Sequence, residues 1–306
     1  MNWTFPMVGC GCFVFWLLCT IGNLGCQVAK TIPSIGSLSL IRPFSDTRIG
    51  LPFSFKTRRG NFLIFRDDDF QGDQSILDSV ENLHLELARE LGIVPHQKWV
   101  KVYIFSDNNS FRNYLDSTFP GLPKRKAYFF ARKRGAGLGE ELQVLTLRSD
   151  RLLQDLRHEV THALLHCAFG LVPLWIDEGI AEYFENEPNC LGFNRAHWDD
   201  IQVDWVGGRI PNLKRLDSLT SVGQMGREEY RESWAWVYWL IRLHPGGKDM
   251  IKAYLADKMK ASDSIGFAQL LESQQSNFAF QMMEEMSRVG ISESKDSGSK
   301  GAGPLP

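Results

Sequence analysis

The chain has 306 residues, of which 43% are hydrophobic, so it can bury a substantial core as one large domain or two small ones. Its 34 basic and 36 acidic side chains leave a formal net charge of −2. That balance gives no general reason to expect a nucleic-acid partner. No fixed-period repeat is visible along the chain.

The first 29 residues contain no charged side chain and include the apolar run Phe13–Leu18. Such a run is typical of a signal peptide, and about 20 apolar residues could also just span a bilayer as an anchor. Leu24-Gly25-Cys26 resembles an imperfect lipoprotein cleavage box, so lipidation at Cys26 is a further alternative. We predict a signal peptide or membrane anchor over 1–29, and an exported protein that is periplasmic, at the cell surface or secreted.

Residues 30–60 are rich in Ser, Pro, Gly and Arg without a sustained period, which favours a linker or a loosely packed extension. A folded domain is predicted over 61–287. Apolar runs within it predict strands at 61–65, 99–105, 127–131 and 142–147, and apolar residues three and four apart predict helices at 73–91, 111–115 and 227–243. Composition predicts a disordered tail over 288–306.

A further helix is expected to begin at Asp150, which is a plausible N-cap. It contains His158-Glu159-Val160-Thr161-His162, an HExxH sequence within an apolar helical pattern. Residues four apart lie on one face of a helix, so His158 and His162 can both point at one metal ion. Glu159 can then accept a proton from a water molecule at that metal.

A third ligand is expected from Glu178, which follows His162 by 16 residues. The segment 169–173 contains a Gly and a Pro that can end the first helix and reverse the chain. A second helix starting near 173–175 would bring Glu178 back over the first, and two His with one Glu is a known set for catalytic zinc. Glu182, one turn later, can hydrogen-bond a ligating imidazole from behind.

HExxH followed by Asp177-Glu178-Gly179-Ile180-Ala181-Glu182-Tyr183 resembles the gluzincin clan of zinc peptidases, particularly the peptidase-MA-like domains of exported bacterial proteins. The resemblance extends over about 142–187. It implies zinc ligation by His158, His162 and Glu178, with Glu159 as general base and Glu182 as the supporting carboxylate. Clan members of the thermolysin type use the shorter Asp in that last position.

The resemblance also implies a zincin-like α+β fold, and the element order agrees with it. We predict a small mixed sheet packed on the HExxH helix, followed by a mainly helical C-terminal part. In this clan an edge strand beside the metal helix binds the substrate backbone, and either 127–131 or 142–147 could be that strand. Both could equally be core strands.

Other residues near the motif have less certain roles. His166 continues the face of His158 and His162, but eight residues of helix rise about 12 Å, so His166 is assigned to a structural or outer position. Cys167 and Cys190 could form a disulfide or remain free thiols. Related peptidases use a Tyr or His of a late helix as oxyanion donor, and Tyr230 is our candidate, ahead of Tyr238 and His244.

Two basic runs, 124–126 and 132–134, flank the aromatic strand at 127–131. They would suit an acidic substrate or an anionic envelope surface, although a solvated hairpin with charged ends is the commoner explanation.

The sequence thus predicts a zinc-dependent hydrolase, specifically a metallopeptidase acting on peptide or protein substrates, with Zn²⁺ as cofactor and no nucleic-acid partner. Two alternatives remain. One is a zinc hydrolase that acts on cell-wall peptide crosslinks, and the other is an exported binding or scaffold protein with a structural or vestigial zinc site.

Overall fold

The computed structural model describes residues 53–69, 74–95, 98–133, 140–259 and 265–299, and the two-residue strand Val28–Ala29. The strands are β1 (Val28–Ala29), β2 (Phe55–Arg59), β3 (Phe62–Arg66), β4 (Val100–Phe105), β5 (Ala127–Lys133) and β6 (Glu140–Leu147). The helices are α1 (Gln74–Leu91), α2 (Asn108–Thr118), α3 (Leu152–Ala168), α4 (Leu174–Phe184), α5 (Arg195–Val206), α6 (Leu213–Asp217), α7 (Arg227–Arg242), α8 (Gly247–Lys258), α9 (Phe267–Gln274) and α10 (Phe278–Ser299).

The strands form one mixed sheet in the order β1-β5-β6-β4-β3-β2. β3, β4 and β6 pair in parallel, and β5 pairs antiparallel with β6 in register Phe129 to Val144. β6 lies inside the sheet and its last six residues are buried, as expected of a strand that is covered on both faces.

The two faces of the sheet pack on different helices. α1 and α3 cover one face, where Leu83 of α1, Val160 of α3 and Val144 of β6 belong to one apolar cluster. α2 covers the other through an aromatic cluster that includes Phe111, Tyr128 and Phe130. Because side chains alternate along β5, Phe129 faces α3 while its neighbours Tyr128 and Phe130 face α2.

The C-terminal part is helical in the described residues, and α7 lies at its centre. The predicted stripe on α7 is buried: Tyr230, Trp234, Val237 and Ile241. α7 packs closely on α4 because Gly179 has no side chain at the contact. A Cβ there would lie 2.4 Å from the carbonyl oxygen of Ser233.

The predicted α+β class is confirmed, with a mixed sheet and a helical C-terminal part. Several details differ from the prediction. β2 falls within the segment that was predicted to be a linker. It was not predicted as a strand because four of its five residues are polar. Asp150 does not cap α3, whose N-cap residue is Arg151.

The structure differs from the prediction at the C-terminal end of the chain. α10 continues to Ser299, although a disordered tail was expected from 288. Apart from β1, the leader lies outside the described residues, so its prediction stands as made. Among the helices that the structure describes, none combines the length and apolar character required to cross a membrane.

Of the two strands proposed to bind substrate, only β5 is near an edge of the sheet. β6 lies between β5 and β4, so its backbone is already paired on both sides. β5 pairs on its outer side with β1, in parallel, at Phe129 and Phe130.

Candidate metal centre

The two histidines of HExxH lie on one face of α3 with their ring centroids 5.0 Å apart. His162 is fully buried and His158 is 7% exposed. The ring of Phe129 on β5 lies 6.1 Å from that of His162 and nearly parallel to it. The sheet therefore supports the imidazole that lies deepest in the protein.

Glu178 comes from α4 and completes a cluster. Its Oε2 lies 3.6 Å from Nε2 of His158 and 3.5 Å from Nε2 of His162. The three residues offer ligand atoms that lie within 4.8 Å of one another. The structure thus brings together the three residues that the sequence predicted as metal ligands.

The carboxylate of Glu178 tests whether a metal fits. Glu178 is 0% exposed, and neither of its carboxylate oxygens has a hydrogen-bond partner among the described residues. A buried carboxylate without such partners is costly unless a cation or a proton neutralises it. Two imidazole nitrogens and one carboxylate suit Zn²⁺, so the residues present fit this ion.

Asp177 fixes the orientation of His162. Its two oxygens lie 3.0 Å from Nδ1 of His162 and 3.1 Å from Nε2 of His166. Burial alone would raise the pKa of Asp177, but the two histidines hold it well below its usual range. An ionised carboxylate only accepts hydrogen bonds, so Nδ1 of His162 donates and its Nε2 keeps a lone pair with which it could bind a metal.

Glu185 contacts the Nδ1 atom of His158, as Asp177 contacts that of His162. Its Oε2 lies 3.1 Å from Nδ1 of His158, and its Oε1 accepts hydrogen bonds from Gln154 at 2.6 Å and from Asn194 at 3.3 Å. Burial, together with the negative charge of Glu182, raises the pKa of Glu185. Both oxygens of this carboxylate are therefore fixed by polar neighbours.

Glu182 was expected to hydrogen-bond a ligating imidazole, and the structure gives that part to Asp177 and Glu185. Glu182 instead pairs with His197, with Oε2 2.9 Å from Nε2. Burial would raise the pKa of Glu182, but the hydrogen bond with His197 keeps it below its usual value. Glu182 remains close to His158 and Glu185, since the three residues offer ligand atoms that lie within 4.8 Å of one another.

Arg157 explains why Glu185 reaches His158. It is 1% exposed, and its Nε donates to the carbonyl oxygens of Phe184 at 2.9 Å and Asn186 at 3.0 Å. Its Nη atoms form a bidentate pair with Glu86 of α1, at 3.2 and 2.7 Å. Arg157 thereby ties the residues on both sides of Glu185 to α3, next to His158.

The remaining predicted residues differ in how close they are to the cluster. Glu159 is on α3 next to His158 and is buried, while His166 lies beyond Asp177, in the outer position predicted for it. Tyr230 lies in an apolar cluster with Leu174, Val222 and Met225. Its role as oxyanion donor therefore stays a prediction, and the buried surroundings of Tyr230 agree equally with packing.

Tyr238 and His244, the second choices for this role, contact aromatic side chains. The Tyr238 ring lies among Tyr183, Phe193 and Trp234, and the His244 ring packs on Trp239 at 4.6 Å between centroids.

The two cysteines outside the leader are free thiols in the structure. Cys167 is buried in α3, where burial raises its pKa to about 11, and Cys190 is exposed. Of the two alternatives left by the sequence, the structure contains the free thiols.

Sequence reasoning missed Asp177, Glu185 and Arg157 as supporting residues. A signal existed for Glu185, because positions 178, 182 and 185 share one face of a helix at spacings of four and three. Asp177 immediately precedes a predicted ligand but gives no periodic signal of its own.

No protein-family model matches the chain, and no curated protein sequence matches it.

Proposed function

We propose that the chain is a zinc-dependent hydrolase, and that it is a peptidase. The observation that supports this most is the fully buried carboxylate of Glu178, which faces Nε2 of both His158 and His162 and has no hydrogen-bond partner among the described residues. His158, His162 and Glu178 would hold the ion. The resemblance to gluzincin peptidases supports the choice of reaction.

A zinc ion bound there would lower the pKa of a water molecule and polarise the scissile carbonyl. Glu159, adjacent to His158, would accept the proton of the attacking water and pass it to the leaving amine nitrogen. Asp177 and Glu185 would keep both imidazoles oriented during the reaction, because each contacts an Nδ1 atom.

An extended peptide is the substrate that suits the surroundings of the cluster. β5 lies beside α3, and its Phe129 contacts the ring of His162. β5 already pairs with an extended segment, β1, on its outer side. A peptide that took the place of β1 and added to β5 as a strand would lie close to α3. The first 29 residues, which contain no charged side chain, support action on proteins outside the cytoplasm. The protein could remain attached to the membrane or be secreted.

The test replaces Glu159 by Gln. The expected result is an unchanged zinc content with turnover of a peptide library reduced by about 10²-fold or more, since a positioned general base contributes about that factor. Glu187→Gln is the matched control, because it removes the same charge from an exposed position near the site. Undiminished turnover in Glu159→Gln would contradict the assignment.

The wild-type protein separates this proposal from the alternatives. Cleavage of cell-wall peptide crosslinks but not of proteins would favour the crosslink hydrolase. A zinc-loaded protein that hydrolyses neither would favour an exported binding or scaffold protein.

A further inference from the structure

A cavity of about 420 Å³ lies on the α2 side of the sheet, on the face that does not contact α3. Its polar lining comes from Asn108, Arg112, Asp116 and Lys124, and two leucines and the ring of Tyr128 form its apolar part. Tyr128 belongs to β5, but it points away from the metal cluster. The cavity is therefore a separate site.

The charge around the cavity is unbalanced. The lining contains two cations, Arg112 and Lys124, and one carboxylate, Asp116. Among the described residues, no ion pair joins a carboxylate to either cation, and Arg112 donates to a backbone carbonyl oxygen instead. Other basic residues do pair with carboxylates, as Arg157 does with Glu86 and Lys214 with Glu272. Two cations that pair with no described carboxylate, against one carboxylate in the lining, give this cavity a net positive charge and a preference for an anion.

Hydrogen bonds hold the Arg112 side chain and the backbone of the turn that contains Lys124. The hydroxyl of Tyr128 accepts a hydrogen bond from the backbone N–H of Arg125 at 2.9 Å and donates one to the carbonyl oxygen of Pro123. Nη2 of Arg112 donates to the carbonyl oxygen of Arg125 at 2.7 Å. The turn that contains Lys124 is thus ordered before any ligand arrives, which lowers the entropic cost of binding.

We propose that this cavity binds a phosphate group, with Arg112 and Lys124 as the cationic contacts. Guanidinium and ammonium donors are the usual partners of phosphate oxygens. Asn108 adds an amide donor, and Asp116 can accept a hydrogen bond from a hydroxyl of the attached organic group. The phosphate could belong to a soluble compound or to a lipid headgroup at the membrane surface, since both present the same chemistry.

The first experiment measures binding of inorganic phosphate to the full chain by calorimetry, at constant ionic strength set with chloride. Saturable binding is expected, and Lys124→Gln should weaken it about tenfold, the size expected for one charge-assisted hydrogen bond. Lys214→Gln is the matched control, because Lys214 is also exposed but lies on α6. Lys124 is exposed, so the melting temperature of both variants should remain that of the wild type.

A second experiment distinguishes the sources of the phosphate. Co-sedimentation with phosphatidylglycerol vesicles but not with phosphatidylcholine vesicles, reduced in Lys124→Gln and unchanged in Lys214→Gln, would assign the site to headgroups. Saturable phosphate binding without vesicle binding would assign it to a soluble compound. The proposal is overturned if neither probe binds, or if Lys124→Gln and Lys214→Gln weaken binding equally.

Discussion

The face of the sheet that contacts α3 and the face that contacts α2 both pack through aromatic or aliphatic side chains, but their polar groups differ. On the α3 side, His162, Asp177 and Glu178 are fully buried, and Asp177 orients His162. On the α2 side, Arg112 and Lys124 lie at the rim of a cavity and reach solvent. Burial therefore ties the polar groups on the α3 side to the fold, while Arg112 and Lys124 on the α2 side are open to solvent.

The strongest test of this difference replaces Arg157 by Met. Glu86 would lose its buried partner, and breaking such a pair costs about 3–5 kcal/mol of unfolding free energy. Arg195→Met is the control, since Arg195 and Asp199 form an exposed pair whose loss costs about 0.5 kcal/mol. Urea unfolding measures both. Equal losses in the two variants would mean that burial does not distinguish them.

A smaller loss is expected when Gly179 is replaced by Ala. The new Cβ would lie 2.4 Å from the carbonyl oxygen of Ser233 and 2.7 Å from Cγ2 of Val237, so α4 and α7 must separate. Overpacking of this kind costs about 1–3 kcal/mol, and it should also weaken zinc binding because Glu178 is the preceding residue.

Gly170→Ala is the control for that change. No described atom outside its chain neighbours lies within 4 Å of a Cβ at Gly170, so its stability should change little in the same urea titration. A Gly179→Ala protein as stable as Gly170→Ala would contradict the close helix contact.

Glu185→Ala tests the support of His158. Removing a carboxylate that orients a ligating imidazole lowers metal affinity about 10- to 100-fold, which competition with a chelator measures. Glu182→Ala should reduce zinc affinity less, because Glu182 contacts His197 instead. A larger loss in Glu182→Ala would restore the assignment made from the sequence.

The smallest effect concerns the two thiols. Because burial raises the pKa of Cys167 to about 11, iodoacetamide should modify Cys190 in the native protein and Cys167 only after unfolding. Peptide mapping after alkylation reports each site. A disulfide between them would leave both unmodified until reduction.

The sequence predicted that His158, His162 and Glu178 would lie together, because the spacings that bring them together are local. His158 and His162 share a helix face, and a Gly and a Pro reverse the chain before Glu178. The contact between Glu185 and His158 could not be predicted in this way. It depends on the carbonyl groups of Phe184 and Asn186, which Arg157 fixes through tertiary hydrogen bonds.

The fold was predictable to a similar degree. Continuous apolar runs identified β4 and β6, which are buried in the sheet. β2 was missed because an edge strand with three basic residues has little apolar signal, and its place is fixed by pairing with β3. The aromatic stripe of α7 predicted burial correctly, but an apolar stripe does not indicate whether Tyr230 also serves catalysis.

Zinc content is the most direct test of the metal centre. The wild-type chain and His162→Ala are loaded with zinc, dialysed together and analysed by mass spectrometry of the metal. We predict about one zinc ion per wild-type chain and almost none in His162→Ala, because a site with three protein ligands loses its ion when a central imidazole is removed. Full zinc occupancy in His162→Ala would contradict ligation by His158, His162 and Glu178.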